Sequence, residues 1–180
     1  CGILALATMS VPSTSDPAAT RPDLLGEKRP ARFSQTETEV WIGLLETHKR
    51  LTRALNAELE AEHGLSLSAL ELLSRLSAAE DQVLRLSDLA ERSGLSLSRV
   101  SRIVDTLEAR GLVERRRCPD DRRARNAGLT AAGASLLEAA QATHSAGAHA
   151  RFFAQVEPAE LDALAAVFGR LAPGAARSCT

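Results

Sequence analysis

The feature that most constrains this 180-residue chain is the stretch 86–103, LSDLAERSGLSLSRVSRI. Two short helices that cross steeply need a small residue where they touch and a Gly where the turn takes a positive φ. They also need aliphatic residues where the second helix seats on the first. Ala90, Gly94, Val100 and Ile103 supply these, with Leu89 and Leu95 as further core positions. The pattern predicts a helix-turn-helix, with helices over 87–93 and 96–110. A plain helical hairpin would also show Leu periodicity and a Gly turn, but it leaves the polarity of the second helix unexplained. With Val100, Ile103, Val104 and Leu107 turned inward, Ser98, Arg99, Ser101 and Arg102 are left on the outer side near its start. No Glu or Lys occurs from 95 to 104. Short hydroxyls and guanidinium donors suit base edges and phosphates in a major groove.

Charge placement supports the same chemistry, although the formal net charge is only -1. Between 110 and 125 there are seven Arg against Glu114, Asp120 and Asp121, so the rest of the chain is acidic. This run begins in a predicted strand at 112–115, passes the turn-rich Cys118-Pro119-Asp120-Asp121 and returns over 125–129. The return, with Asn126, Ala127 and Gly128, has low strand propensity and predicts a weak partner. A basic hairpin directly after a helix-turn-helix is suited to lie along a duplex, its guanidinium groups neutralising phosphates and one entering the minor groove. Arg116, Arg117, Arg122, Arg123 and Arg125 are the candidate contacts, and Asp121 is spaced to hold Arg123 in one rotamer.

The remaining organisation is helical. Residues 10–31 carry four Pro among Ser, Thr, Ala and Asp without apolar periodicity, and 1–35 is expected to be a disordered arm. Leu44, Leu45, Leu51, Leu55 and Leu59 then predict a helix of some seven turns, from about Thr36 to a stop at Gly64. Ser68 and Glu71 have capping-box spacing ahead of a second helix. Thr130 caps a further helix to about Ala150, and Glu157-Pro158 opens the last, ended by Pro173. The expected division is 36–64 with 130–173 as a helical region whose apolar stripes want a partner surface, 65–129 as the lobe carrying the helix-turn-helix and the basic hairpin, and 174–180 as a flexible tail.

The segments LSDLAERSG (86–94), SRVSRIVDTLEARGLVER (98–115), PDDRR (119–123) and LTAAG (129–133) resemble the MarR family of multiple antibiotic resistance regulators, over about residues 36–172. The resemblance implies a mostly α, α+β winged helix-turn-helix fold and a homodimer built from the first and last helices. It also implies a palindromic double-stranded DNA site read by two recognition helices, with Asp121 and Arg123 at the wing tip. Ser98, Arg99, Ser101 and Arg102 fall on the recognition helix. Family members commonly lose DNA affinity when a small molecule binds or a cysteine is oxidised, so a cytoplasmic repressor relieved by an effector is expected. Cys118 stands where many relatives carry Asp.

The regulatory switch is less marked. Trp41, His48, Arg53 and His63 lie on or beside the first helix and are the candidate effector contacts. A lone Trp is more often core, and a lone His more often a satisfied structural residue. Cys118 is the one thiol placed for redox control, its neighbouring Arg favouring the thiolate, though a passive surface thiol is the expectation. The three cysteines form neither a disulfide framework nor a metal-ligand spacing, which fits a reducing compartment. No cofactor, metal or membrane span is expected, since no apolar run approaches 18 residues and no His pair stands at i, i+4. An opening Cys1 reads as a start assigned too early, with Met9 the candidate initiator, rather than as the mature end of a lipoprotein. No Gly-rich phosphate loop or spaced nucleophile and base points to an enzyme. The competing class is a winged-helix protein-interaction module whose basic hairpin meets an acidic partner.

Overall fold

The computed structural model describes residues 32–117 and 125–172, which fall into two compact units divided between Glu46 and Thr47. The first helix, α1 (Gln35–His63), begins in the first unit and ends in the second. Its start is chemically fixed. The Glu37 N–H donates to Ser34 Oγ at 3.2 Å and the Ser34 N–H donates back to a Glu37 carboxylate oxygen at 2.7 Å, a reciprocal capping box. The Ser34 N–H, and then its hydroxyl, hold the Glu37 carboxyl below its ordinary value. Along the part of α1 in the first unit Val40, Trp41, Ile42, Leu44 and Leu45 are exposed, as is Phe33 just before the helix.

In the second unit, α1 is followed by α2 (Leu67–Ser77), β1 (Val83–Arg85), α3 (Leu86–Ser93) and α4 (Leu97–Ala109). Then come β2 (Val113–Arg117), β3 (Arg125–Leu129), α5 (Ala131–Arg151) and α6 (Pro158–Leu171). The core is aliphatic: Leu59, Leu72, Leu73, Leu76, Leu89, Val100 and Val104 are fully buried, drawn from α1 to α4. Burial of each contributes about 1.5–3 kcal/mol. Val113, Ala127, Leu129, Leu137 and Ala140 continue this core across the hairpin to α5.

Two local expectations are corrected. The cap of α2 is Ser66, whose hydroxyl accepts from the Ala69 N–H at 3.2 Å, while Asn56 of α1 accepts from the Leu67 N–H at 3.0 Å. Two of the orphan donors of the helix start, the Leu67 and Ala69 N–H groups, are thereby met, with the cap two residues before Ser68. Glu71 bonds Arg75 at 2.7 Å instead of closing a box. A strand that periodicity did not reveal also follows the polar break after α2. Asp81 and Gln82 both take positive φ, 53° and 55°, and turn the chain into β1.

The sheet has the order β1-β3-β2, antiparallel throughout. Far from being weak, β3 is the central strand, paired with Val83, Leu84 and Arg85 on one side and with all five residues of β2 on the other. Its small residues sit close against their neighbours. Ala127 is fully buried, and a Cβ on Gly128 would stand 3.1 Å from Nε of Arg116.

Gly94 has φ 65° and joins α3 to α4, its N–H bonding back to the last turn of α3. Thr130 caps α5 through the Gly133 N–H at 3.0 Å, and Gly133 there meets the hairpin so closely that a Cβ would lie 2.0 Å from the Leu112 carbonyl oxygen. Gly133→Ala is expected to lower the unfolding free energy by about 2–3 kcal/mol, because backbone must shift. Gly94→Ala costs about 1–2 kcal/mol through its left-handed backbone alone. Urea denaturation of both variants, read as midpoint shifts at unchanged slope, checks the pair. For Glu37, the contribution to the helix start is present above the ordinary carboxyl range and is lost as pH falls through its lowered value. Ser34→Ala, which keeps the backbone donor, is expected to move the Glu37 titration part of the way back, followed by NMR.

Candidate nucleic-acid interface

The outer face of α4 is set by its cap and its core row. Ser96 accepts from the Arg99 N–H at 3.3 Å, and Val100, Val104 and Leu107 are buried below. This leaves Ser98, Arg99 and Arg102 exposed, as expected. Arg99 reaches sideways to α2, where Nη2 donates to Ser68 Oγ at 3.5 Å. Arg102 lies along its own helix, with Nε 3.4 Å from the Ser98 carbonyl. Ser101 departs from the expectation. It is half-buried on the flank facing the hairpin, within 3.4 Å of Nη2 of Arg115.

Arg115 is the residue that sequence reasoning missed. From β2 its Nε donates to Glu108 at 3.1 Å, its backbone N–H to the same carboxylate at 3.2 Å, and Nη2 to Asp105. It is 22% exposed, and its Nη1 is buried without a protein partner. These charge-assisted bonds tie β2 to α4 and set the hairpin beside the helix. Asp105 and Glu108, three residues apart on α4, were the available signal. A count of Arg residues does not show which of them are already neutralised.

Arg110 is also spent inside the fold, donating to the carbonyls of Gly64 at 2.7 Å and His63 at 2.9 Å at the end of α1. The remaining hairpin candidates divide. Arg116 pairs with Glu114 at 2.6 Å over Gly128, and Arg125 is exposed on β3. The Arg117 backbone pairs with Arg125 in the sheet. The Arg117 side chain, Cys118, Asp121, Arg122 and Arg123 lie outside the described residues.

Of the effector candidates, Trp41 is exposed in the first unit, and His48 and Arg53 are exposed in the second. Neither His48 nor Arg53 lines the second unit's cavity of about 250 Å³ among Glu60, Leu65, Ala69, Ile103 and Arg110, or its cleft of about 720 Å³ beside β1. His63 is a structural residue. It is 14% exposed, with Nε2 2.8 Å from the Thr143 hydroxyl, which itself donates to Glu62 at 2.9 Å. Because the Thr143 proton is engaged there, the short contact requires the hydrogen of His63 on Nε2.

Among the described residues no group of three His, Cys, Asp or Glu stands together as a metal site, and no helix is long and apolar enough to cross a membrane. Arg115→Ala leaves Asp105 and Glu108 facing each other unneutralised and is expected to cost about 1–2 kcal/mol of stability, discounted for partial exposure. A double-mutant cycle with Asp105→Asn, measured by denaturation, should return a coupling of at least about 0.5 kcal/mol.

Known proteins share both the sequence and this geometry. A family model described as MarR family matches residues 63–124. An uncharacterized HTH-type transcriptional regulator of Bacillus subtilis (strain 168), YdgJ, is 32% identical over 111 residues, 62% of this chain and 64% of that protein. The chain thus spans a little under two thirds of this curated relative. The crystal structure of AbsC, a MarR family transcriptional regulator from Streptomyces coelicolor, is 31% identical with a TM-score of 0.71, covering 78% of this chain and 95% of that one. Sco3205, a MarR family transcriptional regulator from the same organism solved in complex with DNA, is 27% identical with a TM-score of 0.75, over 82% and 92% of the two chains. With the expected winged helix-turn-helix in place and these relatives matching it, the chain belongs to the MarR family.

Proposed function

We propose that this protein is a transcriptional regulator that binds double-stranded DNA sequence-specifically as a homodimer, acting as a repressor at a palindromic operator and released by a small-molecule effector. The observation that carries the reading is the start of α4, where Ser98, Arg99 and Arg102 are exposed and no carboxylate intervenes from 95 to 104. Side chains of this kind at a helix N-terminus are those that contact base edges and phosphates. The Arg115 tie adds a basic hairpin beside that helix. Sco3205, whose fold this chain shares, was solved with DNA.

Dimerisation is supported by apolar surface that the described fold leaves uncovered. Helix α6 buries no residue and exposes Leu161, Val167, Phe168 and Leu171. In the first unit, Val40, Trp41, Ile42, Leu44 and Leu45 are exposed along α1. Such surface on a regulator fits a second copy of the chain. In this reading the wing tip, Asp121 with Arg122 and Arg123, follows the minor groove, flanked by Arg116, Arg117 and Arg125. Trp41, His48 and Arg53 contact the effector, and the protein works in the cytoplasm.

Selection of bound sequences from a random duplex pool is expected to return a palindrome whose half-sites are one helical turn apart, about 10 base pairs. Failure to bind any duplex at low salt would overturn the proposal. Arg102→Ala is expected to cost about 1–3 kcal/mol on the selected site and to relax the preference at one position per half-site. Arg123→Ala should weaken all duplexes alike and lessen the dependence of log affinity on log salt by about one per half-site. Titrations at several salt concentrations on selected and scrambled duplexes distinguish the two.

A further inference from the structure

Leu97 is the first residue of α4 and is 55% exposed. A lone exposed Leu is common, but the company of this one is not. The other exposed side chains of the first two turns and the cap, Ser96, Ser98, Arg99 and Arg102, are all hydrogen-bond donors, and none is a carboxylate. That charge selects a polyanion, rather than an apolar protein surface, as what meets this end of the helix.

Its position on the helix is also defined. Leu97, Ser101 and Asp105 form one row at four-residue spacing, and the last two both contact Arg115 of β2. Leu97 therefore lies on the flank that faces the hairpin, one turn nearer the helix start than the Arg115 contacts. Arg99 lies on the other flank, tied to Ser68 of α2, with Ser98 and Arg102 outermost between them.

A helix docked in a major groove presents its first residues to base edges, and the apolar group there is the C5 methyl of thymine. We propose that Leu97 is a specificity-determining residue that packs on a thymine methyl at the hairpin side of each half-site, while Ser98, Arg99 and Arg102 supply the polar contacts. The assignment rests on the DNA-binding reading above and adds to it a named base and a named atom.

Uracil in place of thymine removes that methyl and leaves base pairing unchanged. Each thymine of the selected duplex is replaced in turn by uracil, and affinities are measured for the unaltered protein and for Leu97→Ala, which is expected to keep the fold because the side chain is exposed. At one thymine per half-site, uracil is expected to weaken the unaltered protein about threefold to fivefold, the worth of one buried methyl. Leu97→Ala should bind the thymine and uracil duplexes equally at that position. If the variant keeps the same thymine-to-uracil ratio at every position, or the unaltered protein is indifferent to all of them, the assignment is overturned while DNA binding stands. A change in sedimentation of Leu97→Ala with an unchanged ratio would likewise overturn it, in favour of a second copy covering the residue. Absence of any duplex binding removes the underlying reading as well.

Discussion

The Arg115 guanidinium governs how helix α4 and strand β2 of this fold relate. A five-residue strand and a 13-residue helix that met only through aliphatic side chains would slide and rotate against each other with little penalty. Arg115 replaces that freedom with directional bonds to Glu108, Asp105 and Ser101, made from one planar group in a mostly buried setting. Withdrawing the charge from water is costly unless its partners are well aligned, so the arrangement tolerates few alternatives. The placement of the hairpin beside α4 therefore follows from two carboxylates on that helix, Asp105 and Glu108.

Much of this architecture was legible in the sequence because it rests on local rules. Gly94 between two aliphatic runs, the Thr130 cap and Pro158 at the first position of α6 each act within a few residues, and each element appears where those rules put it. The misses share a different cause. Strand β1 has three residues, too few for any period to register, and its existence depends on pairing with β3 over 40 residues away. The central place of β3 was hidden for the same reason: the low strand propensity of Ala127 and Gly128 is outweighed by pairing on both sides and by the burial of Ala127, which only the tertiary fold supplies.

The candidate site was legible in outline and misleading in arithmetic. The exposed row of Ser98, Arg99 and Arg102 follows from helical periodicity once Val100 and Val104 are assigned to the core. The basic run was correctly located as a hairpin, yet Arg110 and Arg115 serve helix ends and carboxylates within the fold, and Arg116 is shared with Glu114. Charge density along a sequence therefore overstates the field available to a ligand whenever acidic residues from another element fold against it.

The last turn of α1 has a mechanical consequence. His63 is held at both ends: its carbonyl by Arg110 at the terminus of α4, and its imidazole by Thr143 in the middle of α5. One residue is thus a common fastening point for three helices. A displacement of α5 along its axis cannot be absorbed by the His63 side chain alone without stretching a 2.8 Å bond, and the same strain would pull on the peptide that α4 grips. In kinematic terms α4 and α5 are linked as through a shared pivot, although no side chain of α4 bonds directly to His63's ring partner.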